Sequence, residues 1–391
     1  MKSKHRNLAV TQTLVALALL GCGSSPAETA GTPDAETGTP DAGSMAEGGG
    51  QPPAPAGVVA AGVRWFGRVD TTDPTKPRFA WSGTGFVARF SGTSLTAQLA
   101  VTGANEIFKT VVDGAPQPTF TAAAGQGMYP LASALSAGVH TVEVYRQTEG
   151  PQGETQLLAL TVPDGALMDP PAGPGRLIEV IGDSITCGYG DLGTSADLNA
   201  TGDRCFATES HWDAYESVAA RALGAEVSTI AASGRGVVRN YGGDTTGTMP
   251  MVYARTLTNG ATPTWDFHIE PQAVVINLGT NDISNNKGDP GVAFRDTYVA
   301  LLETVRTNYP DALIVGIIGP LLGGGELTTI QGYIQSAVDM RNAAGDTKVE
   351  FFNQITTQTS DKFACQYHPN LAENMLMADQ LTAELKAKLG W

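Results

Sequence analysis

The carboxyl-terminal half of the chain alternates short apolar runs with segments of helical periodicity. Apolar side chains at helical spacing follow the first and third runs, as in Trp212, Tyr215, Val218, Ala219, Ala222 and Leu223, and again in Phe294, Tyr298, Leu301, Leu302 and Val305. The runs themselves cover residues 177–182, 226–231, 273–278, 312–318 and 348–353. Strands that are apolar throughout are buried on both faces, as in a parallel sheet covered by helices. We therefore predict a three-layer α/β domain over residues 175–391.

A different pattern precedes this domain, over residues 57–168. Short runs of period-two alternation are separated by Gly, Asp and Pro, and they lie at residues 79–81, 85–90, 94–99, 108–112 and 140–145. This alternation is typical of strands with one buried face. The sequence thus predicts a small antiparallel β-sandwich before the α/β domain.

The turn Gly182-Asp183-Ser184 directly follows the first apolar run of the α/β domain. A strand fixes the position of its last residue, and a helix that starts after it offers unpaired backbone N–H groups to a developing negative charge. Ser184 is therefore a candidate nucleophile. Taken alone, the same residues also fit an ordinary turn with an Asx or Ser cap.

Three further fragments occur in a recognisable order: Ala232-Ser233-Gly234, Gly279-Thr280-Asn281-Asp282 and His368-Pro369-Asn370. Together with the Ser184 turn they resemble the blocks of the SGNH (GDSL-like) hydrolase superfamily, in which Ser, Gly, Asn and His supply the nucleophile, the oxyanion donors and the general base. The longer stretch from Gly182 to Gly190, with Arg239-Asn240-Tyr241-Gly242, is similar to the second family of carbohydrate esterases, which are acetyl esterases acting on plant polysaccharides. In that family a small jelly-roll domain precedes the catalytic domain, and Trp81-Ser82-Gly83-Thr84-Gly85 resembles it.

A serine hydroxyl needs a base to take its proton before it attacks an ester. Of the five histidines, His5 lies in the leader and His140 in the sandwich. His211 begins a predicted helix and His268 precedes a strand, so capping or surface roles account for both. His368, in a turn before the last helix, is our candidate base.

The resemblance assigns the oxyanion hole to the backbone N–H groups of Ser184 and Gly234 and the side-chain amide of Asn281. Glycine lets its N–H approach a substrate oxygen without a side chain in the way. Alone, Gly234 also fits a plain turn and Asn281 an Asx cap. We expect Asp183 to order its turn and Asp282 to support Asn281.

The chain departs from the superfamily beside the base. The usual Asp three residues before the histidine is Cys365, and the Asp often found two before it in the esterase family is Gln366. The leading hypothesis is a Ser184–His368 dyad in which a backbone carbonyl accepts the ring N–H. Asp361 is less suited, and a carboxylate from a distant loop would overturn the dyad.

The first residues resemble a bacterial lipoprotein signal. Basic residues precede an apolar stretch and Gly21-Cys22, so we expect a signal peptide over residues 1–22 with Cys22 lipidated; cleavage of a plain signal peptide is the alternative. Residues 23–56 consist almost entirely of Ala, Gly, Pro, Ser, Thr, Asp and Glu, which predicts a disordered tether. The protein would be exported, and either lipid-anchored at the cell envelope or secreted, with the lipid as its only membrane contact.

Three cysteines remain after Cys22. A Cys205–Cys365 disulfide would anchor the loop that carries His368 and leave Cys187 as a buried thiol; three free thiols are the alternative. Paired Cys or His spacing, a P-loop and the dinucleotide-binding glycine pattern are absent from the sequence, so we expect neither a metal nor a cofactor. The net charge of -15 excludes nucleic acid as a partner.

The resemblance implies an acetylated polysaccharide or oligosaccharide as substrate. Tyr241 and Tyr367 match aromatic substrate contacts of the family, although each would also fit a core position. Two other functions stay open: a short-chain lipase or lysophospholipase, and a glycan-binding lipoprotein without catalysis. Likewise, the sandwich is either a helper domain packed against the enzyme or an independent carbohydrate-binding module.

Overall fold

The computed structural model describes residues 62–354 and 359–391. The predicted signal peptide, the lipidation site Cys22 and the tether lie outside these residues. Within the described ranges, no helix is long and apolar enough to cross a membrane.

The amino-terminal part is a sandwich of two antiparallel sheets. Its strands are β1 (Val63–Phe66), β2 (Val69–Asp70), β3 (Arg78–Phe79), β4 (Gly85–Gly92), β5 (Leu95–Val101), β6 (Glu106–Val112), β7 (Ala115–Pro116), β8 (Phe120–Ala122), β9 (Gly125–Ala132), β10 (Gly138–Arg146), β11 (Thr155–Thr161) and β12 (Ala166–Met168). One sheet has the order β1-β4-β10-β6-β7, with β12 also on β4 and β8 on β6. The other has the order β2-β3-β11-β5-β9.

Period-two alternation builds the core of the sandwich. In β5, Leu95, Ala97, Leu99 and Val101 are buried, whereas the residues between them are partly exposed. Phe79, Phe86, Phe90 and Phe108 from the neighbouring strands complete the same apolar cluster. Because successive side chains of a strand point to opposite faces, one row from each sheet meets in the middle.

The carboxyl-terminal part is a parallel five-stranded sheet. Its strands are β13 (Leu177–Gly182), β14 (Glu226–Ala231), β15 (Ala273–Asn277), β16 (Leu313–Ile317) and β17 (Val349–Phe351), in the order β14-β13-β15-β16-β17. The helices are α1 (Ser184–Cys187), α2 (Gly202–Phe206), α3 (Tyr215–Ala222), α4 (Met249–Val252), α5 (Thr280–Ile283), α6 (Val292–Asn308), α7 (Gly324–Ala343) and α8 (Leu371–Leu389). The prediction of a sandwich followed by a three-layer α/β domain is confirmed.

Both faces of this sheet are covered by helices. On one face, Val274 and Ile276 of β15 pack in a cluster with residues of α6 and α7. On the other face, Val275 packs with residues of α3 and α8. The strand order reverses between β13 and β15, and open α/β sheets bind their ligands at such a switch point, beyond the carboxyl ends of the strands.

Buried polar and aromatic side chains join the sandwich to the α/β domain. Arg68, between β1 and β2, is fully buried and lies 3.3 Å from the carboxylate of Glu179 in the middle of β13. The Glu179 carboxylate also accepts hydrogen bonds from the hydroxyls of Tyr253 (2.6 Å) and Tyr309 (2.9 Å). Trp81 of the sandwich enters the core of the α/β domain, where its indole N–H donates to the Thr256 carbonyl at 3.0 Å.

Candidate active site

Ser184 lies at the start of α1, two residues after Gly182, the last residue of β13. The Asp183 carboxylate accepts from the Ile185 backbone N–H at 3.1 Å, which caps the short helix. Gly188 ends the helix with a left-handed φ of 75°. Ser184 is 7% exposed, so this strand, cap and turn hold the hydroxyl in one place at the carboxyl edge of the sheet.

His368 approaches Ser184 from the loop before α8. Its Nε2 atom lies 2.8 Å from Ser184 Oγ. Its Nδ1 atom lies 3.2 Å from the backbone carbonyl oxygen of Gln366. A carbonyl oxygen only accepts hydrogen bonds, so Nδ1 carries the proton and Nε2 is left to accept the serine proton.

Burial lowers the pKa of His368 to about 4, although the hydrogen bond to the Gln366 carbonyl acts in the opposite direction. The imidazole is therefore neutral at pH 7. A neutral imidazole is the form that a general base requires.

The backbone of the His368 loop adopts conformations that are costly for residues other than glycine. Gln366 and Tyr367 have φ angles of 49° and 66°. A disulfide between Cys205 and Cys365 precedes them, which is the pair considered from the sequence. At the other end the Asn370 side chain caps α8 by accepting from the N–H groups of Ala372 and Glu373.

Side chains from the region after α1 support the same loop. The Gln366 amide donates to the Ala200 carbonyl at 3.0 Å, and its Oε1 atom accepts from the Tyr189 hydroxyl at 3.2 Å. The Tyr189 ring packs edge-on against the His368 ring, with 4.8 Å between the centroids. The side chain of Gln366, at the position where the esterase family often has an aspartate, thus fixes the loop, while its carbonyl orients the base.

Gly234 lies in a tight turn after β14, closed by a hydrogen bond of 3.2 Å from the Arg235 N–H to the Ala232 carbonyl. Its φ of 77° favours glycine, and the space beside its Cα is open. Asn281, in α5 after β15, donates from its amide to Asp183 Oδ2 at 3.1 Å and to the Arg235 carbonyl at 2.8 Å. The Asn281 amide therefore lies between the Ser184 turn and the Gly234 turn.

Two buried aspartates line these turns. Burial and the nearby charges of Asp282 and Glu149 raise the pKa of Asp183 to about 7. Burial raises the pKa of Asp282 to about 6, although hydrogen bonds from three backbone N–H groups act in the opposite direction. Asp282 accepts from the N–H groups of Val237 (2.9 Å) and Val238 (2.8 Å), so it supports the loop after Gly234 rather than the Asn281 side chain.

The two candidate substrate tyrosines are surface residues. Tyr241 is 53% exposed and lies beside Gly234, to whose carbonyl its N–H donates at 2.9 Å. Tyr367 is 49% exposed and immediately precedes His368. Both rings are therefore available at the margin of the site, and neither occupies a core position.

The remaining histidines take no part in the site. His268 is exposed and pairs with Asp266, as expected for a surface role. The surface or capping role expected for His211 is wrong, because its ring is buried between Thr229 Oγ1 (2.8 Å) and Ser217 Oγ (3.0 Å). Burial lowers the pKa of His211 to about 3.

Sequence reasoning missed Glu149, a buried residue of the sandwich that reaches the Gly234 turn. Its carboxylate accepts from the Ser233 N–H at 2.6 Å. Potential ligand atoms of Glu149, Cys187 and Glu209 lie within 4.8 Å of one another, which is the one such group among the described residues. No local motif marks Glu149, since its contact is made between domains.

The fold and the paired Ser184 and His368 side chains define a GDSL-like serine hydrolase. In agreement, residues 180–380 match the family model "GDSL-like Lipase/Acylhydrolase family", and residues 65–171 match "Carbohydrate esterase 2 N-terminal". The chain belongs to the family 2 carbohydrate esterases.

Individual relatives show the same combination. The cellulase/esterase CelE of Acetivibrio thermocellus is 39% identical over 84% of this chain, which spans only 40% of that relative's length. An acetylxylan esterase / glucomannan deacetylase of Cellvibrio japonicus is 30% identical to this chain. The match covers 81% of this chain and 87% of the relative's length. The structure of a family two carbohydrate esterase from Clostridium thermocellum in complex with cellohexaose superposes with a TM-score of 0.79, at 38% identity, over 84% of this chain and all of that one.

Proposed function

We propose that this protein is a carbohydrate O-acetyl esterase that removes acetyl groups from plant-type polysaccharides. One observation supports this above all: His368 Nε2 lies 2.8 Å from Ser184 Oγ while Nδ1 faces a backbone carbonyl. A hydroxyl, a neutral base and a fixed tautomer are what nucleophilic ester cleavage needs.

In the first half-reaction, Ser184 Oγ attacks the acetyl carbonyl carbon while His368 Nε2 takes the hydroxyl proton. The tetrahedral intermediate collapses as the protonated His368 returns that proton to the leaving sugar oxygen. The products are a free sugar hydroxyl and an acetyl ester on Ser184. Water then attacks this ester with His368 again as base, and acetate leaves with Ser184 restored.

The developing oxyanion would be stabilised by the N–H groups of Ser184 and Gly234 and by the Asn281 amide. In the free site both acceptors of the Asn281 amide are protein oxygens, on Asp183 and Arg235. The oxyanion therefore has to share or replace one of these hydrogen bonds. The longer one, to Asp183, is the one we expect to yield.

The exposed tyrosines support a carbohydrate substrate. Sugars pack their apolar C–H faces on aromatic rings, and Tyr241, beside Gly234, and Tyr367, beside His368, present exposed rings. The relatives agree, since one is named a glucomannan deacetylase and another was solved with cellohexaose. We therefore assign Tyr241 and Tyr367 to substrate contact.

We also propose that the protein is exported, with residues 1–22 as a lipoprotein signal and Cys22 as the lipidated residue. The basic start, the apolar stretch and Gly21-Cys22 support this. A disulfide such as Cys205–Cys365 fits an oxidising compartment. Mass spectrometry of the mature amino terminus tests it: a diacylglyceryl cysteine at Cys22 is expected, and an unmodified terminus elsewhere would show secretion instead.

Assays on the protein from residue 57 onward test the activity. We expect hydrolysis of 4-nitrophenyl acetate faster than of longer acyl esters, release of acetate from acetylated xylan or glucomannan, and loss of both activities in Ser184→Ala. A rate that increases with acyl length would indicate a lipase. An inactive protein that still binds glycans would indicate the non-catalytic alternative.

A further inference from the structure

Glu149 links the sandwich to the catalytic turns through a buried carboxyl group. It lies three residues beyond the end of β10 and is fully buried. Its Oε2 atom accepts from the Ser233 N–H at 2.6 Å. Ser233 directly precedes Gly234, so this hydrogen bond fixes the Ala232–Ser233 peptide, one peptide before the Gly234 donor.

The other side of the Gly234 turn is held from within the α/β domain. The Gly234 carbonyl accepts from the Tyr241 N–H at 2.9 Å, and the Arg235 carbonyl accepts from Asn281 at 2.8 Å. Glu149 therefore supplies the hydrogen bond on the amino-terminal side of the turn. An oxyanion donor displaced by a fraction of an ångström loses much of its effect, because its hydrogen bond depends on distance and angle.

Glu149 also touches the nucleophile helix. Its Oε2 atom lies 3.8 Å from the Sγ atom of Cys187, in the last position of α1, which begins with Ser184. A single carboxyl group from the sandwich thus contacts both segments that present backbone oxyanion donors. Burial and Glu149 itself raise the pKa of the Cys187 thiol, so Cys187 is protonated and donates in this contact.

The backbone of Glu149 is itself held by buried charged residues. Its N–H donates to Glu209 Oε1 at 3.0 Å, and its carbonyl accepts from the Arg146 guanidinium at 3.3 Å. The next residue, Gly150, packs so closely on the α/β domain that a Cβ would lie 1.7 Å from Thr258 Oγ1. The Glu149 side chain therefore extends from a rigid support and not from a mobile loop.

We propose that Glu149 is a positioning residue of the oxyanion hole, through which the sandwich domain takes part in ester hydrolysis. This inference rests on the proposed esterase function. The role requires an acceptor oxygen at the end of a side chain of this length. It does not require a negative charge, because a glutamine oxygen can also accept the Ser233 N–H.

Four variants of the otherwise complete protein test this role with 4-nitrophenyl acetate. Glu149→Ala removes the acceptor, and Glu149→Asp keeps the carboxyl but shortens it by one methylene. We expect kcat to fall about 10- to 100-fold in both, with KM changed less than about twofold, because the donors act on the transition state. Glu149→Gln should retain most of kcat. Glu154→Gln, on the same segment but paired with Arg78 at 3.5 Å, is the matched control and should leave kcat unchanged.

A second readout separates positioning from general loss of structure. Rates are normalised to the fraction of Ser184 labelled at the endpoint by a fluorophosphonate, which counts intact sites. An alkylboronic acid, which forms a tetrahedral adduct with serine, should bind more weakly to Glu149→Ala in proportion to kcat, while cellohexaose affinity stays the same. If Glu149→Ala does not fold, Glu149→Asp and Glu149→Gln give the same comparison.

Three results would overturn the proposal. One is an unchanged kcat per labelled site in Glu149→Ala and Glu149→Asp. Another is a parallel loss of kcat and cellohexaose affinity, which indicates a general distortion. The third is a loss of wild-type kcat on treatment with EDTA, which would assign Glu149, Cys187 and Glu209 to a cation. If instead the wild type cleaves no ester and matches Ser184→Ala, the proposed function itself fails.

Discussion

The Nδ1 atom of His368 lies 3.2 Å from the carbonyl oxygen of Gln366, a residue only two positions earlier in the chain. The carboxylate considered from the sequence, on Asp361, accepts instead from the hydroxyl of Thr359. The acceptor that orients the base is thus a backbone atom. Its position depends on the conformation of a short loop and not on the charge of any side chain.

The pH dependence of kcat/KM should reflect the low pKa of His368. The neutral imidazole is the active form, and its pKa is lowered to about 4 by burial, so protonation inactivates the enzyme only in acid. We expect a decline in acid with an inflection near pH 4, well below the pKa values of about 7 and about 6 for Asp183 and Asp282. Initial rates at low substrate concentration measure it. An inflection near the ordinary histidine value of about 6.5 would contradict this account.

Loss of the Asn281 amide should reduce kcat more than it affects KM. In the proposed mechanism the amide donates to the oxyanion in the transition state, and one such donor is worth about 100- to 1,000-fold in kcat. We expect Asn281→Ala to show this loss in steady-state assays. Asn342→Ala, on the exposed surface of α7, is the control. A change in KM alone would assign Asn281 to ground-state binding.

Gln366→Ala should loosen the loop that carries the base. The variant loses two hydrogen bonds, to Tyr189 and Ala200, but keeps the carbonyl that His368 faces. Each bond is worth about 0.5–1.5 kcal/mol, so a loss in kcat of about 10-fold is expected, with stability lowered by about 1–3 kcal/mol. Stopped-flow kinetics and urea unfolding measure the two effects. Gln335→Ala, on the exposed side of α7, should change neither.

Removal of the Cys205–Cys365 disulfide should destabilise the protein and slow catalysis. The bond closes a segment of 160 residues, and native disulfides contribute about 2–5 kcal/mol. We expect the Cys205→Ser/Cys365→Ser variant to unfold at lower urea concentration and to have reduced kcat. Dithiothreitol should lower wild-type activity and leave the variant unaffected. Equal sensitivity of both proteins would be evidence against this bond.

Arg68→Met should be strongly destabilising. It leaves the buried Glu179 carboxylate without its cation, and breaking a buried ion pair in this way costs about 3–5 kcal/mol. Chemical denaturation with intrinsic tryptophan fluorescence measures the change. Arg295→Met removes a partly exposed cation from the exposed Asp296 and should cost only about 0–1 kcal/mol. Similar losses in both variants would refute the special role of Arg68.

The elements of the α/β domain followed from the sequence because each apolar run is continuous, and the first three runs are directly followed by a motif. Strand positions were predicted to within two residues, and Ser184 and His368 were paired through their order in the chain. The contacts of Glu149, Arg68 and Trp81 did not follow, since they depend on how two domains pack. The burial of His211 was missed for the same reason: its surroundings come from residues distant in sequence.

The interface between the two domains determines where such a chain can be divided. Arg68 of the sandwich forms an ion pair with Glu179 of the α/β domain across this interface, and Trp81 of the sandwich packs in the core of the α/β domain. An isolated α/β domain would expose an apolar cavity and an unpaired Glu179 carboxylate in the interior strand β13. A fusion protein that is to carry this activity would therefore have to include both domains together.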